Sequence, residues 1–160
     1  MNLSKNLIQI NNLVQILNSK NNKSTRANCF NAIELFWQDT SIQKFLGPEE
    51  FVIYVRNKFN QTPLENQISQ GDVTIVWSRS SFELPVGKIN IEDLFLKHQG
   101  YPFGLIIEHA FIEIDGKIIF QKPDPNTYQP YQIISRSEAL YPYVNSKGYE
   151  LTRHHRRQSP

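Results

Sequence analysis

Two apolar, β-branched segments flank Asp115-Gly116, and together they predict the clearest β-hairpin in the chain. The first segment covers residues 105–114 and the second covers residues 117–122. An Asp-Gly pair favours a tight reversal between antiparallel strands, because glycine adopts a left-handed backbone without steric cost. The second half of the chain is therefore expected to contain antiparallel strands.

The region before Gly71 predicts helices instead. Apolar residues recur at intervals of four and three from Leu3 to Leu17, which marks one face of a helix that begins near Ser4. A second helix is predicted over residues 28–37. A third begins at Gly47-Pro48-Glu49-Glu50, because proline suits the first turn and the carboxylates suit the positive end of the helix dipole. It is expected to stop before residue 63, which is a proline.

More elements follow Gly71-Asp72. Residues 73–77 are β-branched and aromatic, which predicts a strand, and residues 131–134 predict another. Residues 90–98 and 135–140 are predicted to form short helices. Helices followed by antiparallel strands predict an α+β domain, in which amino-terminal helices pack on an antiparallel sheet.

Length and charge predict one domain with a short basic end. At 160 residues the chain suits a single domain with a hydrophobic core. We place this domain at residues 1–152, with residues 1–20 as its amino-terminal helix. Residues 153–160 are basic and are expected to be flexible. The chain has 17 basic and 15 acidic residues, and three of its arginines lie in this basic end. The rest is near neutral, which argues against a nucleic-acid partner.

The sequence carries no recognisable secretion or membrane signal. Residues 1–20 alternate apolar residues with asparagine and glutamine and lack a continuous apolar core. No stretch is long enough to span a bilayer. We therefore expect a cytoplasmic protein with no membrane partner, although a signal-independent secretion system would leave no trace in the sequence. A single cysteine excludes an internal disulfide, no cofactor or metal is implied, and the oligomeric state stays open.

One cysteine and one histidine predict a thiol site. Cys29 follows Asn28 at the start of the second predicted helix, and His109 lies in the segment 105–114. A free thiol has a pKa of about 8.5, and a helix N-terminus or a neighbouring imidazolium lowers it. The imidazole then shuttles protons, while backbone N–H groups at the helix start hold the developing oxyanion. The alternatives are an inert cysteine and a histidine that belong to the core.

These residues, in this order, resemble the NlpC-type cell-wall cysteine peptidases of the papain-like superfamily. The resemblance rests on a cysteine that opens a helix, on Gly71-Asp72 leading into a strand, and on a histidine in a following strand. It covers residues 28–134. It implies a papain-like fold, a peptide or amide substrate, and a third site residue twelve positions after the histidine, which here is Gln121.

Two positions depart from the family's pattern. The family's Asp-Cys-Ser-Gly is Asn28-Cys29-Phe30-Asn31 here, and its third histidine is Gln121. Asparagine caps a helix as aspartate does, whereas glutamine orients an imidazole without adding a charge. The catalytic candidates are Cys29, His109 and Gln121. The candidates for substrate binding or the oxyanion site are Asn28 and Asp72, although Asp72 more simply caps a turn.

The hairpin register decides whether His109 can meet Gln121. In a three-residue loop of residues 114–116, Glu113 pairs with Lys117 and His109 falls directly opposite Gln121. In a two-residue loop the two side chains point to opposite faces of the sheet. We expect the three-residue register. The alternative for Gln121 is a polar residue near a strand end, with no part in a site.

Three functions are compatible with these patterns. The first is a papain-like cysteine hydrolase that cleaves an amide or peptide bond through a thioester acyl-enzyme, with Cys29 as nucleophile and His109 as general base. The same chemistry serves a deamidase, or an acyltransferase where water is excluded. The second is a catalytically inactive NlpC-like fold that binds a protein, which the absent third histidine favours. The third is a nucleic-acid binder whose affinity is lost on truncation after Tyr149.

Overall fold

The computed structural model describes residues 5–21, 26–62, 68–79, 105–123, 129–144 and 151–158. Within these ranges the chain forms four helices: α1 (Leu7–Lys20), α2 (Cys29–Phe36), α3 (Pro48–Lys58) and α4 (Arg136–Val144). It also forms six strands: β1 (Phe59–Thr62), β2 (Val73–Arg79), β3 (Leu105–Glu113), β4 (Ile118–Gln121), β5 (Gln132–Ser135) and β6 (Leu151–Arg157). The strands make one antiparallel sheet in the order β1-β6-β2-β3-β4-β5. The predicted α+β class is confirmed.

Capping side chains set the helix starts. α1 begins at Leu7 rather than near Ser4, because Asn6 and Gln9 form a reciprocal capping box. α2 and α3 begin as predicted. α3 ends earlier than predicted, because Phe59 adopts the extended backbone of β1 and pairs with β6. The predicted strand at 131–134 and helix at 135–140 correspond to β5 and α4, and the helix predicted at 90–98 lies outside the described residues.

The sheet separates two hydrophobic clusters. The helix-side cluster joins α1, α2 and α3 to one face of the sheet, where Ile75 of β2 pairs with Ala110 of β3. The α4-side cluster joins Val76, Phe111 and Ala139 on the other face. Side chains alternate between the two faces along a strand. Neighbouring residues of β2 and β3 therefore serve different clusters.

The hairpin between β3 and β4 has a different register from the predicted one. Glu113 pairs with Ile119 rather than with Lys117. The carboxylate of Asp115 accepts the N–H of Lys117 at 2.8 Å and that of Ile118 at 2.9 Å, so residues 115–117 form the loop. The shift is two residues, and an even shift keeps every side chain on its predicted face.

The prediction of a flexible basic end is wrong for residues 153–157. They belong to β6, which pairs with β1 on one side and with β2 on the other. Two arginines at this end have carboxylate partners far away in the sequence: Arg156 pairs with Asp72, and Arg157 pairs with Asp39. The composition of the segment could not reveal these partners. Truncation after Tyr149 would remove an interior strand, so it cannot serve as a test of nucleic-acid binding.

Candidate active site

Asn28 builds the start of α2. Its side-chain oxygen accepts the N–H of Asn31 at 3.2 Å and that of Leu46 at 3.3 Å, and its amide nitrogen donates to the carbonyl of Leu46 at 2.8 Å. The side chain is buried. All of these contacts are made within the protein, so Asn28 is a helix cap and a tether for the loop before α3. The assignment of Asn28 to substrate binding or the oxyanion site stays a prediction.

Cys29 is the first residue of α2, as predicted. It is 7% exposed, belongs to the helix-side cluster, and forms no disulfide. α2 packs on β3, the strand that carries His109. The N–H of Asn31 bonds to the cap, and the first N–H bonded within the helix is that of Ala32, to the carbonyl of Asn28. The N–H groups of Cys29 and Phe30 at this helix start are the candidate oxyanion donors.

His109 and Gln121 lie together, as the sequence predicts. The imidazole Nε2 is 2.6 Å from Oε1 of Gln121, and both side chains are buried. Because an amide oxygen only accepts hydrogen bonds, Nε2 carries the hydrogen and Nδ1 keeps a lone pair. Nδ1 is buried, and within the described part of the chain it has no hydrogen-bond partner. The arrangement presents one unpaired basic nitrogen in a fixed tautomer.

Burial lowers the pKa of His109 to about 4, and the hydrogen bond that Nε2 donates to Gln121 opposes this change only in part. The imidazole is therefore neutral at pH 7. This corrects the expectation that an imidazolium at His109 lowers the pKa of the thiol in the resting protein. A neutral ring can instead accept the thiol proton as a general base when the reaction begins.

A β-bulge lies next to His109. Val76 of β2 pairs with His109 and Trp77 pairs with Ile107, so Glu108 is the extra residue of β3. Ile107 belongs to the helix-side cluster, whereas His109 pairs with Val76 of the α4-side cluster. Bulges re-aim side chains and occur often beside active sites. Here the bulge turns His109 onto a different face from the one that Ile107 occupies.

The structure brings His109 and Gln121 together and leaves the contact between His109 and the Cys29 thiol as a prediction. Cys29 belongs to the helix-side cluster, and His109 lies with the side chains of the α4-side cluster.

An aromatic side chain also contacts the imidazole of His109. The ring of Tyr143 stacks on it with a centroid separation of 5.7 Å and an interplanar angle of 14°. No sequence pattern pointed to Tyr143, because it lies on a helix 34 positions after the histidine.

Asp72 has a structural part. Its two oxygens accept the Nε and Nη2 hydrogens of Arg156 at 3.0 and 2.9 Å, and one also accepts the N–H of Ser69 at 2.8 Å. Its backbone carbonyl accepts the N–H of Glu113 at 2.8 Å. The turn-capping interpretation is thus confirmed. The assignment of Asp72 to substrate binding or the oxyanion site stays a prediction.

A buried polar network on the same face was missed. Thr74 Oγ1 lies 2.7 Å from Glu113 Oε1 and 2.8 Å from His154 Nδ1, and Arg136 Nε donates to the same Glu113 oxygen at 2.9 Å. If Glu113 is ionised it can only accept, so Thr74 donates to it and accepts from Nδ1–H of His154. One signal was available: Glu113 is charged, lies in an apolar strand, and shares the face of His109.

Comparisons with known proteins identify no relative. No family model matches the chain, and neither a curated protein nor a solved structure matches it. Among the residues that the structure describes, no helix is long and apolar enough to cross a membrane. The same residues include no group of three or more histidine, cysteine or acidic side chains placed to bind a metal ion.

Proposed function

We propose that the protein is a papain-like cysteine hydrolase of the NlpC type that cleaves an amide or peptide bond. The observation that carries the proposal is the hydrogen bond between His109 and Gln121, which leaves Nδ1 of a buried imidazole unpaired. The second support is that Cys29 is the first residue of a capped helix, which packs on β3 from the helix side of the sheet. A reduced thiol suits the cytoplasm, the compartment that we propose.

The reaction runs through an acyl-enzyme. Nδ1 of His109 takes the proton of the Cys29 thiol, and the sulfur attacks the carbonyl carbon of the substrate. The oxyanion of the tetrahedral intermediate lies at the N–H groups of Cys29 and Phe30. The imidazolium then protonates the leaving amine, and a thioester remains on Cys29. Water gives its proton to Nδ1 and attacks the thioester, which releases the acid and restores the thiol.

Gln121 acts through His109. Its oxygen holds the Nε2 hydrogen, so the nitrogen that faces the reaction stays unprotonated until the thiol gives up its proton. The neutral amide supports the imidazolium less than a charged partner would. For that reason we expect a modest catalytic rate. The same residues could serve a deamidase or an acyltransferase as well as a peptidase.

Alkylation of the only cysteine tests the proposal. Iodoacetamide labelling of Cys29, followed by intact mass at pH 7, should be about tenfold or more slower in His109→Ala, because the general base is gone. Cys29→Ser should not be labelled at all. His155→Ala is the matched control, because His155 is also a buried histidine but lies on β6, which β2 separates from β3. It should leave the rate near that of the natural protein.

One observation favours the non-catalytic alternative, a fold that binds a protein partner. Cys29 belongs to the cluster on the helix side of the sheet, and His109 pairs with Val76 of the cluster on the other side. In a binding module the thiol and the imidazole have no need to meet. The same experiment separates the two functions: equal labelling rates in the natural protein and in His109→Ala would reject the hydrolase and leave the binding module.

A further inference from the structure

His109 is held from two directions. Oε1 of Gln121 accepts a hydrogen bond from Nε2 of the imidazole at 2.6 Å, which fixes the rotation of the ring within its plane. Tyr143 lies face to face with the ring, at 5.7 Å between centroids and 14° between planes. An offset stack of this kind fixes the plane itself and removes water from one side of the ring. His109 is only 2% exposed.

Helical periodicity places Tyr143 over the sheet. Arg136, Ala139, Leu140 and Tyr143 occupy positions i, i+3, i+4 and i+7 of α4, so they share one helix face. Ala139 is buried in the α4-side cluster, and Leu140 and Tyr143 pack against that cluster. The first turn of α4 is held in place by Arg136. Its Nε donates to Glu113 at 2.9 Å, and its backbone N–H donates to the carbonyl of Lys117 at 2.7 Å.

We propose that Tyr143 is a second positioning residue for His109, which holds the imidazole plane and shields it from water. The inference rests on the proposed cysteine hydrolase. It assigns to α4 a part in catalysis that the sequence did not indicate. Tyr143 does not touch the reacting atoms; it acts through the ring that it covers.

Few charged groups that could shift the pKa of His109 face the imidazole. Val76 on β2 is apolar, and Gln121 on β4 is neutral. Glu113 shares the face of His109 on β3 and is paired with Arg136 of α4. Glu108, next to His109 in the bulge, is exposed. A change at Tyr143 that moves the titration of His109 therefore acts through water and ring position rather than through a removed charge.

The test compares Tyr143→Leu with Tyr143→Phe in the full chain. Two quantities are measured: the pKa of His109, from the ring resonances in an NMR titration, and the pH profile of Cys29 labelling by iodoacetamide. Tyr143→Leu should raise the pKa of His109 from about 4 toward its ordinary value of 6.5. It should also slow labelling at pH 7 by about tenfold, because the loss of a fixed ring orientation outweighs the higher basicity of the imidazole. Tyr143→Phe keeps the stacked ring, so the pKa of His109 and the labelling rate should both stay near those of the natural protein.

The outcomes separate this inference from the proposed function. An unchanged His109 titration in Tyr143→Leu, or equal changes in the phenylalanine and leucine variants, would overturn the positioning role. A rate of Cys29 labelling that is the same in His109→Ala as in the natural protein would reject the hydrolase. If the pKa of His109 then still changes in Tyr143→Leu but not in Tyr143→Phe, the stacked ring positions the imidazole without the proposed reaction. If Tyr143→Leu does not fold, Tyr143→Met offers an unbranched apolar side chain for the same comparison.

Discussion

The guanidinium of Arg156 forks onto the carboxylate of Asp72, with Nε 3.0 Å from one oxygen and Nη2 2.9 Å from the other. The two residues are 84 positions apart, and the fork joins β6 to the turn that opens β2. The carboxylate is nearly sealed from solvent, whereas the arginine side chain is partly exposed. Planar bidentate pairing of this kind is specific to arginine, because lysine offers a single point charge.

We expect Arg156→Met to lower the free energy of unfolding by about 1–3 kcal/mol, because it leaves a buried carboxylate without its partner. Arg156→Lys should fall between methionine and the natural residue, since it keeps the charge and loses the fork. Urea denaturation measures both. In an Asp72→Asn background the methionine substitution should cost less. An identical cost in the two backgrounds would mean that the fork does not stabilise β6.

Acid should destabilise the protein through His109. Its pKa is about 4 in the folded state against 6.5 in the unfolded chain, so the unfolded chain binds the proton first as the pH falls. The stability due to the neutral ring is fully present above pH 6.5, the pKa of the unfolded chain. It is lost as the pH falls from 6.5 to about 4, the pKa of the folded state. The loss is about 3 kcal/mol.

The acid effect is measured as a difference between two proteins. His109→Gln removes the titrating ring, so its free energy of unfolding should fall less between pH 7 and pH 4, by about 3 kcal/mol. This difference isolates the contribution of His109 from those of the other titratable groups. Parallel stability curves for the two proteins would show that His109 is not protonated on unfolding.

Substitution of Gln121 should move the pKa of His109 in both directions. Gln121→Glu should raise it, because a carboxylate stabilises the imidazolium. Gln121→Leu should lower it, because the hydrogen bond that His109 donates to Gln121 raises it in the natural protein. NMR titration of the histidine ring measures both effects. Gln132→Glu is the matched control, since Gln132 pairs with Gln121 on β5 and lies one strand farther from the ring; an equal rise there would reject a direct contact.

Local chemistry predicted the parts of this fold that depend on neighbouring residues. The cap at Asn28 and the proline at position 48 placed the starts of α2 and α3, because a helix start is satisfied by side chains within a few positions. The shared face of His109 and Gln121 was predicted although the register was off by two residues. Strand side chains repeat every two residues, so the error did not change the face.

Long-range partners explain what the sequence could not show. The basic segment that includes Arg156 and Arg157 is a strand because each arginine meets a carboxylate from a distant part of the chain. Composition counts charges and cannot pair them. The loop of the hairpin shifted because the side chain of Asp115 binds two backbone N–H groups, a choice among turns that the Asp-Gly pair leaves open. Tyr143 reaches His109 only through the packing of α4.

Two glycines offer a matched pair for the last prediction. Gly71 and Gly116 both have a left-handed backbone, with φ of +88° and +79°. A Cβ on Gly71 would lie 2.7 Å from Cζ2 of Trp37, whereas one on Gly116 would meet nothing within 4 Å. The N–H of Gly71 also donates to the carbonyl of Glu113 at 2.8 Å, so the backbone cannot move away from the indole without losing that bond.

Alanine at Gly116 should therefore cost about 1 kcal/mol, which is the cost of the left-handed backbone alone. Alanine at Gly71 should cost about 1–3 kcal/mol more, because it adds a clash inside packed aromatic side chains. Urea denaturation of both variants gives the difference. In a Trp37→Leu background the excess cost at Gly71 should shrink, since the clashing ring atoms are gone. If alanine at Gly71 still costs more than alanine at Gly116 in the Trp37→Leu background, the extra cost comes from the backbone of the turn rather than from a clash with the indole.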